Sequence, residues 1–209
     1  MRRIGAVLVI VFCGAFSLSA TLLTSQPGGG TTTTFPGGSS CYPGATSDTV
    51  AGFAVTTSGE SCYNFGDAGH PFGFVANGNW YMGLIGDNIG TTSITIDLGG
   101  LYSWVGGFMN YAPGEGDPVI TAIGGDGTTI LQSWNLATSA PISTPGATNA
   151  GAFRGIDMGS PVIGYLQFGG SLLAMHDITL GGEEIPEPGS VLLVAGAIAL
   201  LALLRRQRA

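Results

Sequence analysis

The chain contains no lysine. Its six basic residues are all arginine, and five of them sit at the two ends: Arg2, Arg3, Arg205, Arg206 and Arg208. Arg154 is the single cation between them, which assigns it to a salt bridge with an acid on a neighbouring strand. Charge of either sign is scarce, at 9% of residues, against about 25% in an ordinary soluble domain. Residues 21–185 hold 12 of the 13 acids and, with Arg154, carry a formal charge of −11. Such a surface repels nucleic acid and anionic lipid, which excludes a nucleic-acid partner. It accommodates divalent cations, neutral glycans or basic partners.

Reactive side chains are equally sparse. Histidine occurs twice, as His70 in a Gly-His-Pro loop and as His176 ahead of Asp177. Neither has a partner at metal-ligand spacing. No Gly-x-Ser-x-Gly elbow is present. Of three cysteines, Cys13 lies in an N-terminal apolar run and would leave with it. Cys41 and Cys62 remain as an even pair. They read as a disulfide in an oxidising compartment, worth roughly 3 kcal/mol by chain entropy, or as two unrelated thiols. Between residues 45 and 185 no helical period of useful length appears.

What the chain does have is glycine, 37 residues of it, with no collagen repeat. The expectation is turns and bulges in a β-rich fold. A hydrophobic fraction of 44% excludes a wholly disordered chain.

Residues 1–20 have the layout of a secretory signal peptide: Arg2-Arg3, an apolar run over 4–16, then Ser17-Leu18-Ser19-Ala20. Cleavage falls after Ser19 or Ala20, and a retained membrane anchor is the alternative. Residues 21–44 are rich in Gly, Thr and Pro and read as a flexible arm. Residues 45–184 hold short strand patterns at 50–57, 91–98, 101–111, 119–123, 128–136, 153–158, 162–168 and 172–180. Ile94, Ile96 and Leu98 alternate with Thr95 and Asp97, the mark of a half-buried strand. Ile130, Gln132, Trp134 and Leu136 share a face, and Asp126-Gly127 marks a hairpin. Residues 66–90 read as long loops. Seven or eight such strands predict an all-β fold, an antiparallel β-sandwich of jelly-roll type.

The loop acids Glu60, Asp67, Asp87, Glu115 and Asp117 raise two chemistries. Paired carboxylates could hydrolyse a glycosidic bond, or loop carboxylates could hold a structural Ca²⁺ with no other cofactor. The plainer reading is turn residues and solvated charges. Trp80, Tyr81, Trp104, Tyr111 and Trp134 are candidate carbohydrate contacts, since aromatic rings stack on sugar faces. At least three of them are expected to fill the core instead.

The last stretch carries the clearest message. Pro186-Glu187-Pro188 is followed by an apolar run over residues 191–204 and by Arg205, Arg206 and Arg208. Those 14 apolar residues make a helix of about 21 Å, short of the ~30 Å hydrocarbon core. The arginines would stay cytoplasmic. A plain C-terminal anchor is the alternative. In this order the three parts resemble the PEP-CTERM sorting signal of exported bacterial proteins, covering residues 185–209. The resemblance implies transient membrane retention by a short C-terminal helix. It also implies processing by an exosortase-like membrane enzyme, in a Gram-negative bacterium that makes extracellular polysaccharide and biofilm matrix. Within the body, residues 94–99, 105–111, 126–127 and 153–156 resemble galactose-binding-like jelly rolls. The expectation is a non-enzymatic, secreted or cell-surface protein whose body binds carbohydrate. A glycan hydrolase and a purely structural matrix spacer are the alternatives.

Overall fold

The structure is a computed structural model. It describes residues 19–35, 38–42, 47–58, 61–65, 74–76, 79–81, 84–86, 93–111, 117–142, 151–169 and 173–183. The predicted signal helix and the C-terminal segment lie outside these residues.

The fold is almost entirely antiparallel β. In chain order its strands are β1 (Thr21–Leu23), β2 (Thr31–Thr34), β3 (Gly38–Tyr42), β4 (Ser47–Val50), β5 (Phe53–Ser58), β6 (Ser61–Phe65), β7 (Phe74–Ala76) and β8 (Asn79–Tyr81). They continue as β9 (Leu84–Gly86), β10 (Ser93–Tyr111), β11 (Val119–Gly124), β12 (Ile130–Asn135), β13 (Ala152–Asp157), β14 (Ile163–Gly169), β15 (Leu173–Met175) and β16 (Asp177–Glu183). One short helix, α1 (Leu136–Ser139), follows β12 and is capped by the Asn135 side chain accepting from the Ala137 N–H. Fourteen strands form one sheet that comes close to closing on itself, and β7 pairs with β8 alone.

β10 organises the sheet. Its first half pairs with β5 on one edge and with β14 on the other. Beyond Gly99, β14 holds on at Tyr102 and then gives way to β13 on one edge, while β16 and then β15 follow on the other. The register with β14 shifts between Asp97 and Tyr102, and Gly99 there has φ +70°, a conformation costly for other residues. The Asp97 carboxylate accepts from the Gly99 N–H at 2.9 Å and fixes the bulge. The alternation read in the sequence holds: Ile94, Ile96 and Leu98 are buried, and past the bulge Val105, Met109 and Tyr111 point into the same core.

The remaining expectations need adjusting in four places. The strand expected at 50–57 is two strands joined by a tight turn at Ala51 and Gly52, both with positive φ. The region expected to be long loops, 66–90, contains β7, β8 and β9. In β12 the pairing slips by one residue between Ala122 and Ile123. Leu131 therefore packs against the core, while Ile130 is 65% exposed.

Residues 21–44, expected to be a flexible arm, contain β1, β2 and β3. β1 pairs with the edge of β13, and β2 with the edge of β16. Leu22 packs against the core and Phe35 is buried in it. The strands therefore run β1, β13, β10, β16, β2 across the sheet. The segment 24–30 must span four strand spacings, about 19 Å, and eight Cα steps reach at most about 28 Å. It crosses the sheet face opposite the core. Gln26 Nε2 reaches Thr32 Oγ1 at 3.1 Å, and Thr32 Oγ1 lies 2.9 Å from Thr179 Oγ1. A threonine run that looks structureless in the sequence is held as an edge strand by a ladder and a row of hydroxyls.

Under this strap lies Trp104. A side chain added at Gly30 or Gly181 would fall 2.4 or 2.1 Å from its indole. The ring lies against bare backbone on both sides and is 8% exposed. Burying a tryptophan of about 200 Å² is worth on the order of 5 kcal/mol. Gly181→Ala should therefore cost about 3 kcal/mol by overpacking. Gly28→Ala, with nothing within 4 Å, should leave stability unchanged or raise it by up to about 1 kcal/mol. Urea unfolding of the two variants checks the contrast, and equal losses would contradict this role for the glycine.

Candidate functional site

Residues of β10 alternate between two faces, and its register with neighbours decides what each face carries. Trp104, Gly106 and Phe108 share the face away from the core with Phe153 and Gly155 of β13. Phe153 meets Trp104 edge-on at 6.5 Å and Phe108 edge-on at 5.8 Å. Gly106 and Gly155 sit opposite each other. A side chain on either would strike the backbone of the other strand at 2.6 Å. The aromatic cluster therefore fills space that the glycines leave open, and Trp104 is not available to a sugar.

Tyr111 is fully buried on the core face. Its hydroxyl donates to the Ala140 carbonyl and accepts from Arg154 Nε at 3.0 Å. Arg154 is 7% exposed. Its remaining described bonds run to carbonyls, from Nη1 to Phe153 at 2.7 Å and from Nη2 to Ala140 at 3.1 Å. The expected salt bridge is thus replaced, among the described residues, by a node of carbonyls and one phenol. A buried guanidinium must have its donors met, and the C-terminal end of α1 supplies a carbonyl with favourable partial charge. Burial pushes the Tyr111 hydroxyl above its ordinary value of 10.0, against the opposing pull of Arg154.

Trp134 is half-buried against the core, and its indole N–H is enclosed without a hydrogen-bond partner. Trp80 and Tyr81 lie on β8, where Trp80 pairs with Val75 and Tyr81 with Phe74. Of the five aromatic candidates, these two belong to a small hairpin outside the main sheet.

Five of the described acids accept from backbone N–H groups. Asp97 and Asp157 each accept from the N–H two residues on, at Gly99 and Gly159. Asp48 accepts from the Thr49 N–H. Asp126 accepts from the N–H groups of Thr128 and Thr129 and from the Thr129 hydroxyl. It shapes the hairpin whose turn closes from the Gly127 N–H to the Gly124 carbonyl. Asp177 accepts from the Phe108 N–H at 2.8 Å where the ladder is interrupted between β15 and β16. It also faces His176 Nδ1 at 3.7 Å. Asp117 is exposed, whereas Glu60, Asp67, Asp87, Glu115 and His70 fall outside the described residues. Among the described residues no group of three or more His, Cys, Asp or Glu is placed to hold a metal ion, and no helix is long and apolar enough to cross a membrane.

Cys41 and Cys62 occupy directly opposed positions on β3 and β6. Pro186, Glu187, Pro188, Arg205, Arg206 and Arg208 lie outside the described residues. Sequence reading missed the Tyr111–Arg154 node, although a single body cation in an acidic chain was its signal. It also missed Asp177, whose role depends on a ladder interruption that no motif announces. Comparison with family models, with curated proteins and with solved structures gives no match to this chain.

Two outcomes follow from the titratable groups. Tyr111→Phe should cost about 1–3 kcal/mol in denaturant unfolding, because the Ala140 carbonyl and Arg154 lose a buried partner. The raised Tyr111 value stabilises the fold below pH 10, and that contribution declines as pH climbs from there toward the folded value. The phenylalanine variant should lack this part of the alkaline loss. Asp126 is held at about 2 by the Thr129 hydroxyl and then by the Thr129 and Thr128 N–H groups. Its contribution is present above the ordinary value of 3.8 and vanishes as pH falls through about 2. Carboxyl NMR titration should show a midpoint near 2, and an ordinary midpoint would mean that the turn is not closed by this side chain.

Proposed function

We propose that this chain is an exported protein, handled through its C-terminal tail by an exosortase-like membrane enzyme. Its body is a two-layer antiparallel sandwich of jelly-roll type, with β10 passing from one layer to the other at Gly99. The destination is the cell surface or extracellular matrix of a Gram-negative bacterium. One observation carries the reading: Pro186-Glu187-Pro188, a short apolar run and a cluster of arginines stand in that order behind the body. The start of β1 at Thr21, directly after Ser19-Ala20, supports removal of residues 1–20 as a leader.

The body acts by binding carbohydrate of the extracellular polysaccharide, without catalysing a reaction. With Trp104 and Tyr111 buried and Trp134 packed against the core with its N–H enclosed, Trp80 and Tyr81 on the β7–β8 hairpin are the contacts this reading assigns. The acids support this indirectly, because Asp48, Asp97, Asp126, Asp157 and Asp177 are engaged by backbone N–H groups. A matrix spacer is the second reading, and the withdrawal of Trp104 and Tyr111 into the interior favours it.

One experiment separates these readings. The full chain and a variant with Pro186, Glu187 and Pro188 replaced by alanine are expressed in a bacterium that carries an exosortase. The natural chain should be shortened and released, and the variant should stay full-length in the membrane. Identical processing of both would overturn the sorting assignment. The released protein is then passed over the producer's polysaccharide. Retention that Trp80→Ala abolishes supports binding, whereas a folded protein that flows through supports the spacer.

A further inference from the structure

The register of β3 on β6 pairs Gly38 with Phe65, Ser40 with Tyr63 and Cys41 with Cys62. Opposed residues of an antiparallel pair have Cα atoms about 4.5 or 5.5 Å apart, according to whether they are flanked by hydrogen bonds. Both distances fall inside the range of about 4.4–6.8 Å that a disulfide requires. A slip of one residue in either strand would separate the two cysteines, so their opposition is a specific feature of this pairing. We infer that Cys41 and Cys62 form a cross-strand disulfide, made after the chain leaves the cytoplasm. The timing rests on the export reading; the pairing itself does not.

The bond would do particular work in this topology. β3 stands at the end of the strand order, paired with β6 alone among the described residues. Between the two cysteines the chain leaves this ladder to form β4 and β5, and β5 pairs with the first half of β10. A link between Cys41 and Cys62 therefore closes a loop around the β4–β5 hairpin and pins a five-residue edge strand at its base. Cys13, in the apolar run ahead of the body, is not needed.

The chemistry balances through a disulfide-donor oxidoreductase. One cysteine thiolate attacks the donor disulfide and forms a mixed disulfide. The second thiolate displaces the donor, which leaves as a dithiol carrying the two electrons.

The test uses the full chain, secreted through its own leader. Maleimide is added under denaturing conditions with and without prior reduction, and intact mass is read. Cys41 and Cys62 should take up no maleimide until reduced, then one each. Reduction should also lower Tm by about 5–10 °C. Labelling of both cysteines without reduction, or a link between two chains, would overturn the inference. Reduced, purified chain exposed to oxidised glutathione isolates the pairing from the export reading. An internal bond formed there by a chain that cells fail to secrete would sink the export reading alone. Formation of only glutathione adducts or dimers would sink the pairing. Cys41→Ser should block the internal bond in both settings.

Discussion

A strand in the middle of a sheet turns the N–H and C=O of successive residues toward one neighbour and then the other, and each buried group must be met. β10 has 19 residues and two edges to satisfy. It does so with five strands: β5 before the Gly99 bulge, β14 before it and again at Tyr102, and β13, β16 and β15 after it. Every other described element of the large sheet is bonded to β10 or reaches it through a neighbour. The bulge is the hinge of this arrangement. It lets one strand serve two sets of partners while Ile94, Ile96, Val105 and Met109 still face a common core.

The same economy explains the glycine. On the face away from the core, Trp104, Phe108 and Phe153 lie over positions without side chains, so large rings supply the cover that neighbouring residues do not. The backbone approaches there are too close for any Cβ. The acids follow a parallel logic. With little charge in the chain, Asp97, Asp126 and Asp157 close turns and Asp177 fills a ladder gap. Among the described residues the buried cation is met by carbonyls and a phenol in place of a counter-ion.

Much of the strand inventory was legible in the sequence because alternation reports burial on one face. Ile94-Thr95-Ile96-Asp97-Leu98 and the hairpin at Asp126-Gly127 are the clearest cases. Reading failed where pairing, and not composition, decides structure. Thr31 to Thr34 have no apolar pattern, yet the bare edge of β16 makes them a strand. Ile130 shared a face with Gln132, Trp134 and Leu136 by its spacing, and a bulge at Leu131 breaks that register and leaves Ile130 in solvent. Arg154 suggested an acid partner by charge, but topology delivered Tyr111 and the end of α1. As for the site, the aromatic candidates could be named but not sorted. Whether a ring is covered depends on a strap that lies 74 residues from Trp104 at Gly30.

The two ends of the folded body share one level of the sheet. Thr21 enters beside Asp157, which pairs with Trp104, and Glu183 leaves beside Tyr102. Three strand spacings, about 14 Å, separate the outer of these strands from the other. Whatever precedes the body and whatever follows it therefore attach at the same pole. A molecule held at both would hang from one side like a pendant, with no pull across its core and with the Tyr111–Arg154 node at the end away from its tethers.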